Sequence, residues 1–464
     1  MSLPAKLKKK PATAISPLMR KVSTYIASAA KKPLPAAVTE KTKHHLLDTI
    51  SSMVSGSRLH PGQHALRYIK TLGGTPEACI PGSKIVTTVV NAALAGGMLA
   101  HADETDDSHA PSLTHPGCGI VPAALAMAEK QKSSGTALLR AVALGYDIGT
   151  RASFAMGSYA LGPSGRDSHA MGTMFGAAAA AGSLAGLTAD QARYLISYTT
   201  QQLSGQSNYA RDTEHVEKAF LFGGMPARNG ATAATMVACG LTGIDDMFSG
   251  ERNLFLPFGD SAKPDEFARD LGKTYEILNT NIKRWTVGSP IQAPLDSLAI
   301  LIAEHNIKAA DVEKIVVRVS QQGARTVNNR EMPDINMQYM VSIMLLDGTA
   351  TLEAAHDIKR MRDPKVMAMR RKVELIGDPE LQKLLPSRQG IVELKLKDGR
   401  KLRHHTPAVR GTPKNPMPRS EVDAKCYNLC APVLGKARAR KLCDSVWNIE
   451  RVNNVRTLRS LLQA

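Results

Sequence analysis

Apolar positions recur at helical spacing through most of the chain, and they predict a largely helical protein. Residues 16–30 and 38–55 read as amphipathic helices, the second with Leu46, Leu47, Ile50 and Met53 on one face. The pattern resumes over 64–72 after Pro61-Gly62. The Gly73-Gly74-Thr75-Pro76 stretch is a turn, and 78–85 reads as short extended pieces around Pro81-Gly82-Ser83. Helices are expected over 87–100, 119–130, 135–153, 171–187, 189–203 and 231–240. Asp167 or Ser168 is suited to cap the helix that carries His169.

The period changes near Asp270. Residues 314–320 are β-branched and partly alternating, which predicts a strand. Residues 391–396 and 402–405 flank Asp398-Gly399 and predict a hairpin. Helices are expected between these strands at 335–346 and 363–372. After a proline-bounded linker at 407–418, helices are expected again at 421–429, 436–446 and 455–462. The fold class is therefore mainly α with an inserted α/β domain. Residues 1–15 form a disordered basic arm, 16–269 the first part of a helical domain, 270–405 an α/β lid, and 406–464 the return to the helical domain.

Composition agrees with close-packed helices: aromatics are only 4%, too few for a β-sandwich of this size, while alanine and glycine abound. The formal charge of +18 looks like a nucleic-acid signal until it is located. Residues 1–39 carry eight basic residues and no acid, and 388–464 carry seventeen against six, which leaves the middle near neutral. No basic patch interleaves with aromatics, so no nucleic-acid partner is expected. The uncharged stretch 170–189 is too rich in alanine and glycine for a membrane span. The six cysteines form no CxxC pair and read as reduced thiols. The basic N-terminus lacks the apolar segment of a secretory signal, so the expected compartment is the cytoplasm, with the mitochondrial matrix as the alternative. Neither GxGxxG in a strand–helix context nor a P-loop is found.

Chemistry concentrates in residues 101–117, where four acids and three histidines fall within fifteen positions after an apolar helix. Buried carboxylates and imidazoles are costly unless paired or used, so this stretch is either a capping loop or a site. An acidic turn of this kind could also hold Mg²⁺, with Glu214 and Glu217 as its nearest echo.

The stretch resembles the H-x-x-D-x-D-D-T-H-x(5)-H-P-G motif of the MmgE/PrpD family, with Glu104 for the usual aspartate and Ser108 for threonine. Gly145-Tyr146-Asp147 with Arg151, Ser168-His169, residues 223–230 and Leu241-Thr242-Gly243 extend the likeness. So do Lys283-Arg284-Trp285 and the run Asn336-Met337-Gln338-Tyr339 leading to Asp347-Gly348. In the family's K-x-Y-P-x-C-x(3)-H segment, Trp285 and Thr286 replace Tyr-Pro, Gly288 replaces cysteine and Gln292 replaces histidine. The family lysine before the glycine-rich segment aligns with Ala219, one residue from Lys218.

The resemblance implies a helical domain plus an α/β lid in a homodimer. It also implies acid/base chemistry on a small polycarboxylate without a metal or organic cofactor. Moving a proton on carbon beside a carboxylate needs a positioned base and cationic donors for the developing charge. On this basis Asp106 or Asp107 and His115 are assigned to the reacting carbon, with His169 as acid or orienting donor. Lys218, Arg228, Lys283 and Arg284 are candidate carboxylate clamps, and Tyr339 a hydrogen-bond donor from the lid. Glu104, Ser108, His109 and Gln292 complete the expected substrate contacts. The expected activity is a lyase that dehydrates a 2-methylcitrate-like hydroxy-polycarboxylate. The alternatives are an epimerase or racemase, a decarboxylase, and a non-catalytic carboxylate-binding protein.

Overall fold

Small residues let the central helices approach closely. The computed structural model describes residues 14–464, so the expectation for residues 1–15 falls almost wholly outside it. Helix Ser168–Leu184 is buried along most of its length against helices Gly135–Ala155, Pro116–Lys130 and Met225–Ala238. A Cβ on Gly176 would meet the Gly145 carbonyl oxygen at 2.5 Å, so this crossing depends on glycine. Asp167 is the N-cap: its Oδ1 accepts from Ala170 N at 3.1 Å.

Two short strands, β1 (Ala78–Cys79) and β2 (Val86–Thr87), pair antiparallel, as the extended pieces around Pro81 predict. The second sheet comprises β3 (Val312–Ser320), β4 (Val373–Asp378), β5 (Gly390–Leu396) and β6 (Lys401–Thr406), in the order β4-β3-β5-β6. β3 runs parallel to β4 and antiparallel to β5, and β5–β6 is the expected hairpin. Ile315, Val317 and Val319 alternate inward toward helix Ser289–His305, as in a half-covered sheet, and a register shift between Val312 and Lys314 lets Val312 face inward as well. The protein is thus mainly α with a small four-stranded mixed sheet in its C-terminal region.

Two elements here escape the sequence pattern. Strand β4 lies at the sheet edge with half-buried side chains and so shows no clean alternation. Helix Ser289–His305 contains Pro290 and Pro294; Pro290 sits in the first turn, where no N–H is needed, but the pair masks the helical signal.

Two hydrophobic clusters separate. One joins residues 19–282 to 417–462, and the other lies within 285–402. Helix Arg419–Leu434 packs on helix Ala36–Gly56, bringing the C-terminal part of the chain behind the 101–117 loop. No helix among the described residues is long and apolar enough to cross a membrane. The six cysteines are free thiols, all buried except Cys239.

Candidate active site

The loop after helix Val89–Ala100 points successive carboxylates to different sides. Asp107 faces the core: its Oδ2 accepts from His45 Nδ1 at 2.7 Å and Tyr146 Oη at 2.5 Å, and its Oδ1 from Gly117 N at 2.9 Å. A Cβ on Gly117 would fall 2.8 Å from Asp107 Oδ1, so the close backbone approach depends on glycine. Behind the loop, Lys425 Nζ donates to Asp48 Oδ1 at 2.6 Å and to the Thr105 carbonyl at 3.0 Å. His109 is fixed within the loop and by the 276–279 turn, with Nδ1 2.7 Å from Ser112 Oγ and Nε2 3.3 Å from Glu276.

Asp106 faces the other way. Its Oδ2 lies 2.9 Å from His101 Nδ1, its Oδ1 3.2 Å from His115 Nδ1 and 3.6 Å from Lys283 Nζ. Burial opposes the charge on Asp106, but His101, His115 and Lys283 hold its carboxyl well below the usual range. Glu104 bridges Lys218, in contact with Oε1, and Lys283, 3.1 Å from Oε2. It too stays ionised, because the two lysines outweigh burial. Burial alone would depress the Lys283 ammonium, yet Glu104 and Asp106 raise it above its ordinary value. Lys283 reaches this position because Ser108 and Asn281 exchange backbone hydrogen bonds of 3.1 and 2.8 Å, docking the 281–283 segment on the loop.

His115 is held neutral. Burial depresses its imidazole to about 4, overcoming the Asp106 carboxylate. With Nδ1 donating to Asp106, its Nε2 lone pair is left for the cavity beside it. His169 lines the same cavity, its Nδ1 3.0 Å from Asp167 Oδ2 and its ring 5.5 Å from that of His115.

A π-helical segment, Phe220–Gly224, inserts Phe222 between the rings of His169 and His101. The phenyl ring stacks on His169 at 4.2 Å and 11° and on His101 at 4.6 Å and 22°, with Lys218 Nζ 5.3 Å from its centroid. Gly97 and Gly223 pass backbone against backbone there, leaving no room for a side chain on either.

The cavity is about 430 Å³ and is lined, from the expected set, by Ser108, His109, His115, His169, Lys283 and Gln292. Glu104, Asp106 and Lys218 stand one layer behind, holding the residues that line it. The assignment of Asp106 or Asp107 to the reacting carbon is therefore corrected: neither lines the cavity, and Asp107 is saturated by core donors.

Four further expectations change. The Tyr339 hydroxyl donates to the Ala354 carbonyl at 2.8 Å within the lid core. Arg284 stacks on Trp285 at 4.6 Å and pairs with Asp296 at 3.6 Å, away from the cavity. Arg228 donates to Asn229 Oδ1 and lies over Phe220. Gln292 lines the wall, but its amide holds the backbone, accepting from Trp285 N and donating to the carbonyls of Trp285 and Val287.

The sequence reading missed Phe222, His215 and Arg388. Arg388 is half-buried, lines the cavity and forms no hydrogen bond or ion pair among the described residues. His215 is buried 5.2 Å from the His101 ring, neither of its nitrogens hydrogen-bonded. Burial and the Lys218 charge keep it neutral. His101, Asp106 and His115, or His101, Glu104 and His215, are close enough to share a metal ion. Both carboxylates, however, already bind the ammonium of Lys283, which a dication would have to displace. Glu214 is exposed beside His60, so it adds no acidic ligand there.

The MmgE/PrpD N-terminal domain matches residues 20–266, and the MmgE/PrpD C-terminal domain matches residues 285–449. A cis-aconitate decarboxylase-like protein of Aspergillus oryzae is 28% identical over 278 residues, a match that spans only 56% of each chain. A cis-aconitate decarboxylase of Aspergillus terreus is 23% identical over 476 residues, covering 94% of each. With both domains matched in order across most of its length, the chain belongs to the MmgE/PrpD family.

Proposed function

We propose that the protein is a lyase of the MmgE/PrpD type acting on a polycarboxylate, with His115 as the general base. The observation that carries this is a neutral imidazole whose Nδ1 is pinned by Asp106 and whose Nε2 is free at a cavity that also holds Lys283 and Arg388. Such a base removes a proton from carbon beside a carboxylate, while the two cations offset the charge that develops on the carboxylate oxygens. His169 then supplies a proton, either to a departing hydroxyl group or to carbon.

An epimerase needs acid/base groups on opposite faces of its substrate. Here His115 and His169 stand side by side around Phe222, and the lid offers Gln292 where a second titratable group would be required. That arrangement favours elimination. Dehydration of a hydroxy-polycarboxylate is the first reading; decarboxylation of an unsaturated tricarboxylate is the second, and the names of the two Aspergillus relatives favour it.

The test is incubation in D₂O with 2-methylcitrate, cis-aconitate and iminodisuccinate, followed by proton NMR. Loss of water supports dehydration, and release of CO₂ supports decarboxylation. Deuterium exchange with neither would overturn the lyase reading in favour of an epimerase.

A further inference from the structure

The lysines and arginines that line the cavity are not equally committed. Lys283 lies 3.1 Å from Glu104 and 3.6 Å from Asp106. The Arg410 guanidinium is forked onto Glu421 and donates its remaining nitrogen to Asn415, while Lys414 is exposed to solvent. Arg388 is half-buried and has neither a hydrogen bond nor an ion pair among the described residues.

The charges at and behind the floor cancel without it. Glu104 and Asp106 are ionised and face Lys218 and Lys283, and His115 is neutral. Arg388 therefore adds an uncompensated positive charge to the wall. Burial lowers its pKa from the ordinary value, and the carboxylate that acts on it, Glu104, already serves two lysines. A cation drawn out of water without a partner is costly, so an entering anion is stabilised more by this group than by one already paired.

The backbone around Arg388 is fixed on both sides. Ser387 N donates to the Leu384 carbonyl at 2.9 Å, closing the turn before it. After it, Gln389 Oε1 lies 2.8 Å from His405 Nε2, and Gly390 opens strand β5 opposite Thr406. A Cβ on Gly390 would fall 2.7 Å from Pro294 Cδ, so glycine lets the strand start close against helix Ser289–His305. An ordered piece of the lid thus carries the guanidinium, whose flat array of donors matches a carboxylate in two-point fashion.

From an unpaired guanidinium on the lid side of a charge-balanced floor, we propose that Arg388 determines specificity: it binds a second carboxylate of the substrate, remote from the carbon that loses its proton. Lys283 serves the carboxylate beside that carbon. This rests on the lyase reading and divides its two cations between two carboxylates. Acids with a single carboxylate leave one of the two cations without its partner and bind weakly.

Calorimetry on the full-length protein tests this without turnover, using succinate against succinamate and glutarate against glutaramate. Each monoamide keeps the shape of its diacid and loses one charge. At least one diacid should bind about tenfold to a hundredfold tighter than its monoamide. Equal binding within both pairs would overturn the assignment. Arg388→Gln, at a position with no hydrogen bond to lose, should keep the parent Tm and bring the diacid preference close to one. A preference that survives in this variant would also defeat the proposal, because another cation would then be reading the second carboxylate.

Kinetics separate this role from one in the chemistry. On whichever of cis-aconitate, 2-methylcitrate and iminodisuccinate is turned over, Arg388→Gln should raise KM by about tenfold to a hundredfold and lower kcat much less. A fall in kcat at unchanged KM would place Arg388 in proton transfer and sink the specificity role. Turnover with no diacid preference defeats this assignment and leaves the lyase reading intact. An Arg388-dependent preference without turnover of any acid does the reverse.

Discussion

Asp106 and Asp107 are neighbours in sequence, both fully buried, and they do opposite work. Asp107 is enclosed by His45, Tyr146 and the Gly117 amide, all belonging to the helical core. Asp106 is enclosed by His101, His115 and Lys283, one layer behind the floor of the cavity. The first carboxylate holds the loop in place; the second sets the tautomer of the proposed base. Two adjacent carboxylates thus divide support from chemistry, and the division rests on which donors surround each one.

The largest expected effect falls on the cavity side. His115→Ala should lower kcat by about a hundredfold to ten-thousandfold with little change in Tm, measured by steady-state kinetics and thermal melting. Rates near normal would remove His115 from the mechanism. On the core side, Asp107→Ala strands three donors in a dry interior and should cost about 3 kcal/mol of stability by denaturant unfolding. A variant that loses activity while keeping its stability would show that the division between the two carboxylates is wrong.

Asp106→Asn should reduce kcat by about tenfold to a hundredfold, because an amide no longer fixes which His115 nitrogen carries the proton. Since Asp106 raises the His115 pKa against burial, the acid limb of the rate profile should begin near pH 4 in the parent protein and lower still in the variant.

A smaller effect concerns the connection to the lid. His356 Nε2 lies 3.3 Å from Asp103 Oδ2, and although burial opposes its charge, Asp103 and Asp334 lift its pKa to about 9. Because this lies above the ordinary value of 6.5, the stabilisation is complete below about pH 6.5 and disappears as pH rises through about 9. His356→Gln should therefore lower stability by about 1 kcal/mol near neutrality, and the difference from the parent should vanish in alkaline melts. A difference that persists at alkaline pH would mean the contact is packing rather than charge.

The chemistry of the 101–117 loop is legible in sequence because its acids and imidazoles are contiguous there. Lys283 is legible through the motif it opens, and Lys218 through its place before the glycine-rich stretch. Which way each carboxylate turns is not legible, since it depends on the loop's path between His45 and Lys283. Phe222, His215 and Arg388 come from distant positions and carry no local pattern. Tyr339 and Arg284 mislead for the opposite reason: they sit in recognisable motifs, yet the lid uses one for its core and the other on its surface. The helical plan follows from apolar periodicity, whereas edge strand β4 does not, because its half-buried side chains lack a strong alternation.

Phe222 gives the site a built-in reporter. A phenyl face 4.2 Å from His169 and 4.6 Å from His101, nearly parallel to both, imposes a ring current on those two imidazoles. The more tilted His115 ring, at 52°, lies in a different part of that field. The imidazole carbon-bound protons should therefore resolve by chemical shift in proton NMR, allowing each histidine to be titrated separately while a ligand is bound.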